Sequence, residues 1–287
     1  MDRDLADSYR CAETIARRRA RNFYYSFVLL PADKRRAFCA VYAFMRECDD
    51  ISDGACELAE KRRQLAGWHS RLDSAISGKL DGNPILPAFQ DTIRQFSIPA
   101  EYFHWIIDGT EMDLTVNRYE TFEDLYRYCF HVASAVGLVS LQIFGYSGDR
   151  AQKYAEDCGV AFQLTNILRD VGEDAAMGRI YIPADDLEKF RYSPDDVRRG
   201  IVDERFRSLM AFETARARDY YASARNLLPL VDTISRPALW AMMEIYSRIL
   251  GKIARRHYDV YRKRVHLSAA EKCAVALRAL WMRSFQR

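Results

Sequence analysis

Residues 31–53 read PADKRRAFCAVYAFMRECDDISD, and their spacing predicts one long helix whose last turns are acidic. Pro31 brings a φ already suited to a first turn, and Asp33 places negative charge at the positive helix end. Phe38, Val41, Tyr42, Phe44 and Met45 then recur at the helical period as far as Asp53. Residues four apart lie on nearly one face of a helix, so Asp49 and Asp53 project together, with Asp50 beside them. Only one other place in the 287 residues pairs Asp with Asp at that spacing, Asp170 and Asp174 in NILRDVGEDA. Upstream residues extend both stripes: Tyr42, Arg46, Asp49 and Asp53 follow steps of four, three and four, and Gln163, Asn166, Asp170 and Asp174 steps of three, four and four. Each apolar helix therefore ends in a polar stripe.

The same period continues outward in both directions. Helices are predicted over 56–76, 86–95, 100–115, 122–145, 149–174, 203–228, 235–263 and 269–285, with Asp81-Gly82-Asn83-Pro84 as a turn and Gly178 and Pro183 as breaks. No segment alternates with period two between hairpin turns, and no linker divides the chain, so the expected class is all-α with residues 1–287 as one domain. Hydrophobic residues at 49% and charged residues at 29% exclude a disordered or low-complexity chain. A formal charge of +3 gives no reason to expect nucleic acid as a partner. The seven Cys are scattered without a C-x-x-C pair, and the first ten residues lack an apolar signal core, which together predict a reducing, cytoplasmic setting. Tyr128–Gly148 carries no Asp, Glu, Lys or Arg and is long enough to span a bilayer; its Ser134, Ser140 and Gln142 favour a buried core helix. The run Arg17-Arg18-Arg19-Ala20-Arg21 reads as a solvated face, with attraction of anionic lipid as its functional alternative.

Carboxylates converging in an apolar interior repel one another unless cations or raised pKa values compensate. Hard divalent cations suit all-oxygen donors, and Mg²⁺ commonly combines one or two carboxylates with substrate phosphates. The two stripes thus imply a diphosphate substrate held through Mg²⁺, with Asp49, Asp50, Asp53, Asn166, Asp170 and Asp174 as the metal-binding set and Mn²⁺ as a substitute ion. Competing chemistries lack their parts: there is no G-x-G-x-x-G, GK[ST], H-E-x-x-H or G-x-S-x-G, and the five His show no ligand spacing.

Three long stretches, NFYYSFVLLPADKRRAFCAVYAFMRECDDISD, IDGTEMDL followed by RYETFEDLYRYCFHVASAVGL, and GVAFQLTNILRDVGEDAAMGRIYIP, resemble the squalene/phytoene synthase family. The resemblance runs from about residue 8 to 280, and the family's two Asp-rich motifs fall on Asp49–Asp53 and Asp170–Asp174. It implies an all-α isoprenoid synthase fold with a central cavity, and Mg²⁺-dependent head-to-head condensation of two prenyl diphosphates through a cyclopropyl intermediate. On that basis Tyr42, Arg46, Asp49, Asp53, Tyr128, Asp170 and Asp174 are the candidate catalytic residues. Phe23, Phe27, Tyr42, Arg46, Gln163, Asn166, Arg169, Tyr246 and Arg264 are the candidate substrate-binding residues, with Arg262 and Lys263 as alternatives to Arg264. Phe27 falls where the family lines the deep end of its prenyl pocket, and a ring there favours C15 farnesyl diphosphate, leading to presqualene diphosphate and on to squalene or dehydrosqualene. Phytoene synthesis from two C20 substrates is the alternative, and a non-catalytic assembly factor on the same fold the alternative of another class. NADPH joins the expected cofactors if squalene is the product, and peripheral membrane contact follows from so apolar a product; the oligomeric state is not legible.

Overall fold

The computed structural model describes residues 3–19 and 24–284. Its helices are α1 (Arg3–Arg19), α2 (Tyr24–Phe27), α3 (Ala32–Asp53), α4 (Leu58–Ile76), α5 (Leu86–Phe96), α6 (Ala100–Thr115), α7 (Phe122–Cys129), α8 (Ala135–Phe144) and α9 (Ala151–Ala176), followed by α10 (Ala184–Lys189), α11 (Pro194–Arg199), α12 (Glu204–Ala224), α13 (Arg236–Arg255) and α14 (Ala269–Ser284). Among the described residues there is no strand, only two isolated bridges, so the class is all-α. The buried apolar side chains form one cluster that runs from Tyr9 on α1 to Ala279 on α14.

Local chemistry explains where the helices start. Pro31 and Pro99 precede α3 and α6, and Pro237 sits in the first turn of α13. Thr121 with Asp124 opens α7, and Ser193 with Asp196 opens α11, each as a reciprocal cap in which side chain and backbone satisfy one another. Four helices lie outside the ranges expected from the sequence: α1, α2, α10 and α11, the last three no longer than six residues. The helix expected to reach residue 263 stops at Arg255, because His257 and Tyr258 adopt positive φ of 52° and 62°. No Gly or Pro announces that reversal.

The apolar stretch expected as one helix over 122–145 is interrupted by a π-helical turn, Phe130–Ser134, between α7 and α8. The segment Phe122–Phe144 is apolar and long enough to cross a membrane by composition, yet it packs against α6 and α9 and lines the interior cavity. Glycines let these backbones approach. A Cβ on Gly159 of α9 would lie 2.5 Å from the Ser134 Cα, and one on Gly137 of α8 would lie 2.7 Å from the Ala155 carbonyl oxygen. The Ser134 hydroxyl donates to the Glu156 carbonyl at 2.8 Å, which ties the π turn to α9. Beside this contact, α3 carries its own aromatic knot, with Phe44 stacked on Phe89 at 4.1 Å and Trp68 edge-on at 5.2 Å. Both walls of the cavity are thus fixed by close packing.

Gly159→Ala is expected to lower stability by about 1–3 kcal/mol, the usual cost of forcing extra volume into a packed interior. A urea midpoint equal to wild type would mean that the π turn and α9 are free to part.

Candidate functional site

Helices α3 and α9 both run from apolar to polar along the cavity between them. Phe38, Val41, Tyr42, Met45, Arg46 and Asp49 line it from α3, and Cys158, Gly159, Phe162, Gln163 and Asn166 from α9. Ile106, Thr110 and Asp113 of α6 follow the same gradient. Eleven residues separate Phe38 from Asp49, about 16 Å of helix axis at 1.5 Å per residue. The enclosed volume is about 290 Å³, at the small end of ligand cavities. Its floor is a run of rings: Phe27 stacks on Phe38 at 5.0 Å, and Phe38 meets Phe144 at 5.0 Å.

Carboxylates crowd the mouth. Arg46 lies within 3.7 Å of Asp49 and 3.3 Å of Asp53, and also bonds Asp50. The Asp49 side chain is 53% open to solvent but sits in a hollow walled by protein. Loss of solvation there, with Asp53, Asp113 and Asp50 adding repulsion against the pull of Arg46, pushes its carboxyl up to about 6. Desolvation also pushes Asp174 up to about 7, with Asp170, Asp113 and Glu173 adding to it and Arg179 opposing. Asp113 stands between the two motifs and influences both. Its own pKa is raised by burial, although Tyr181 donates to it at 3.0 Å and Tyr128 also bonds it.

Asp170 is placed differently. Arg264 grips it with two bonds, Nε to Oδ1 at 2.9 Å and Nη2 to Oδ2 at 2.8 Å, and Arg169 donates to the same two oxygens, with Nε to Oδ1 at 2.8 Å. This clamp holds the carboxyl below the usual range in spite of burial. Of the three basic residues weighed at this loop, only Arg264 arrives: Arg262 pairs with Asp259, and the Lys263 carbonyl accepts from Arg256.

Tyr42, Gln163 and Asn166 line the cavity as expected, and Asn166 donates to Gln163 at 3.2 Å. Tyr246 lies behind this wall, stacked on Phe162 at 4.5 Å. Tyr128 is buried against Tyr181, with ring centroids 5.1 Å apart, and reaches the mouth through Asp113 rather than through the cavity wall. Burial holds its pKa well above 10, so it is a neutral phenol and a donor at neutral pH. Arg17, Arg18 and Arg19 are exposed at the end of α1, while Ala20, Arg21 and Phe23 lie outside the described residues. Asp113, Arg179 and Tyr181 escaped the sequence reading. The signal for Asp113 was present: Ile106, Thr110 and Asp113 step by four and three, the spacing of the other stripes without a second Asp.

The donor set fits a hard cation. Among the described residues no three His, Cys, Asp or Glu side chains form a ready-made ion cage, so a bound ion here would complete its shell with phosphate oxygens and water. Asp49 and Asp174, whose carboxyls are raised by loss of solvation and then by neighbouring carboxylates, are the groups with most to gain from a cation. The Arg46 Nε is buried and lacks a hydrogen-bond partner, a donor left over for an anion at the mouth.

The family profile for squalene/phytoene synthase matches residues 16–271. The 15-cis-phytoene synthase of Synechococcus elongatus is 36% identical over 280 residues, covering 93% of this chain and 91% of its own. A crystal structure of a dehydrosqualene synthase in complex with ligand superposes with a TM-score of 0.89 at 27% identity, covering 98% of each chain. That of squalene synthase HpnC from Alicyclobacillus acidocaldarius superposes with a TM-score of 0.85 at 30% identity, covering 90% of this chain and 97% of that one.

The folded chain binds the Asp174 proton more tightly than the unfolded chain, about 7 against 3.8, so stability falls as pH rises through that window. Asp174→Asn, uncharged throughout, should melt higher than wild type at pH 8 and by a smaller margin at pH 5 in metal-free buffer. Equal margins by calorimetry would show that Asp174 keeps ordinary acidity.

Proposed function

This chain belongs to the squalene/phytoene synthase family and is a prenyltransferase, and from that premise we propose that it joins two farnesyl diphosphates head to head, giving presqualene diphosphate and then a C30 product. The observation that carries the C15 assignment is the floor of stacked rings, Phe27 on Phe38 against Phe144, under a cavity of about 290 Å³. A second reading, condensation of two C20 substrates, is favoured by the phytoene synthases among the sequence relatives.

Asp49, Asp50, Asp53, Asn166, Asp170 and Asp174 are the proposed holders of Mg²⁺, which when bound supplies positive charge against a leaving diphosphate. Arg46, with its spare Nε, draws the diphosphate of the first substrate to the mouth and favours cleavage of the C–O bond as the oxygen takes the electron pair. Arg169 and Arg264 hold Asp170 in place and add positive charge at the same rim. The apolar walls keep water from the allylic cation, and the ring faces of Tyr42 and Phe162 stabilise it. The double bond of the second substrate attacks that cation. Loss of a proton, accepted by the released diphosphate, closes the cyclopropane. Tyr128 takes the role of a donor that orients Asp113, since its pKa is too high for a base. Reduction to squalene requires a hydride from NADPH; without it the reaction ends at presqualene diphosphate or dehydrosqualene. A product this apolar makes peripheral contact with a membrane part of the same reading.

Protein with Mg²⁺ and labelled farnesyl diphosphate should yield presqualene diphosphate or a C30 hydrocarbon by mass spectrometry, and added NADPH shows whether squalene forms. Phytoene from geranylgeranyl diphosphate alone would replace the C15 assignment with the C20 one. Asp49→Asn should cut turnover by about 10²-fold or more, the scale of losing one group that stabilises developing charge. Phe27→Ala should raise C20 turnover relative to C15; an unchanged ratio would remove the floor from the argument.

A further inference from the structure

Phe144 ends α8, and the last carbonyls of a helix lack partners within it. The Phe144 carbonyl is nevertheless doubly bonded. Lys34, from the first turn of α3, donates its Nζ to it at 2.5 Å, and the fully buried Ser235 donates its hydroxyl at 2.8 Å. Lys34 Nζ also donates to Ser235 Oγ at 3.0 Å and pairs with Asp232 at 3.3 Å, while its side chain is only 13% exposed. The next residue, Gly145, is held by the same group: the Asp232 amide donates to the Gly145 carbonyl at 2.9 Å. Gly145 has φ 72°, which favours glycine, and a Cβ there would lie 2.1 Å from an Asp232 carboxylate oxygen, so any other residue would be strained and would displace that carboxylate.

This polar cluster sits directly beneath the apolar floor. Lys34 and Phe38 are four residues apart on α3 and share a face, so the helix that supplies the cation also supplies the central floor ring. Leu227 and Leu239, on either side of the segment bearing Asp232 and Ser235, also line the cavity. One ammonium thus ties three pieces of the floor together: α3, the end of α8 and the start of α13. A largely buried charged donor is a strong tie, and removing it leaves the Phe144 carbonyl with a single bond.

We propose that the Lys34, Asp232 and Ser235 clamp under Phe144 is a specificity-determining device, holding the floor rings at fixed height and so setting the longest prenyl chain the cavity accepts. It rests on the prenyl diphosphate reading above and adds to that reading positioning residues that touch no substrate. Lys34 fixes a backbone carbonyl, and the carbonyl fixes the ring.

The test is binding of the unreactive S-thiolo diphosphates of farnesol and geranylgeraniol, with Mg²⁺, by calorimetry. Lys34→Met should move the ratio of the two affinities about fivefold toward the longer chain, the worth of roughly one net hydrogen bond. Ser235→Ala, a milder change, should move it the same way, and Lys34→Arg, which keeps charge and donors, should restore it toward wild type. Tyr9→Phe, which removes the bond from Tyr9 to Asp91 between α1 and α5, serves as a destabilised control and should leave the ratio unchanged. An unchanged ratio in both Lys34→Met and Ser235→Ala, or an equal shift in Tyr9→Phe, overturns the clamp as a selectivity device. Failure of the wild type to bind either analogue overturns the functional reading and the clamp with it.

Discussion

Carboxylates desolvated and crowded at the mouth of an apolar cavity are the constraint on which the rest of this structure depends. Asp49 and Asp113 line the cavity, Asp53 acts on both and Asp113 on Asp174, and loss of solvation first, with this repulsion added, raises the pKa values of Asp49, Asp113 and Asp174. Two arginine arrangements offset part of it, Arg46 within the first motif and the Arg169 and Arg264 pair on Asp170. The cost that remains is electrostatic, of the kind that positive charge at the mouth relieves. Asp170 is the exception: two guanidinium groups already satisfy it.

A rim under repulsion needs rigid walls. α9 is pinned to the π turn and α8 by contacts too close for any side chain at Gly159 or Gly137, and α3 is pinned by the Phe44, Trp68 and Phe89 rings. The π turn also reshapes the wall: Val132 and Ala133 within it line the cavity, where a regular α-helix would present a different register. Below, Lys34 holds the end of α8, so the floor rests on one largely buried cation and the mouth on Arg46, Arg169 and Arg264. Electrostatics sits at both ends, with hydrocarbon between.

Much of this was legible in the residues. The α3 and α9 stripes place Tyr42, Arg46, Asp49, Gln163 and Asn166 on the cavity, and their spacing alone anticipated a shared face for each. Asp113 is illegible as a pair within its own helix, since the carboxylates it acts on across the mouth come from other helices. Arg264 was one of three equivalent letters in the sequence, and only the path of the loop after α13 brings it to Asp170. The stop of α13 at Arg255 was illegible for a related reason: two non-glycine residues hold positive φ there, which local propensity argues against.

By itself the sequence determined the all-α class, the helices that carry chemistry and the face each one buries, because those follow from periodicity and from interactions a few residues apart. Tertiary structure decided which carboxylates confront one another, which arginine reaches Asp170, where a helix yields to a π turn, and how Lys34 comes to lie under Phe144. Those facts depend on contacts between residues about a hundred positions apart, such as Lys34 with Phe144 and Asp170 with Arg264. Spacing along one helix carries no information about them. They are set by how whole helices pack, and packing is a property of the assembled core.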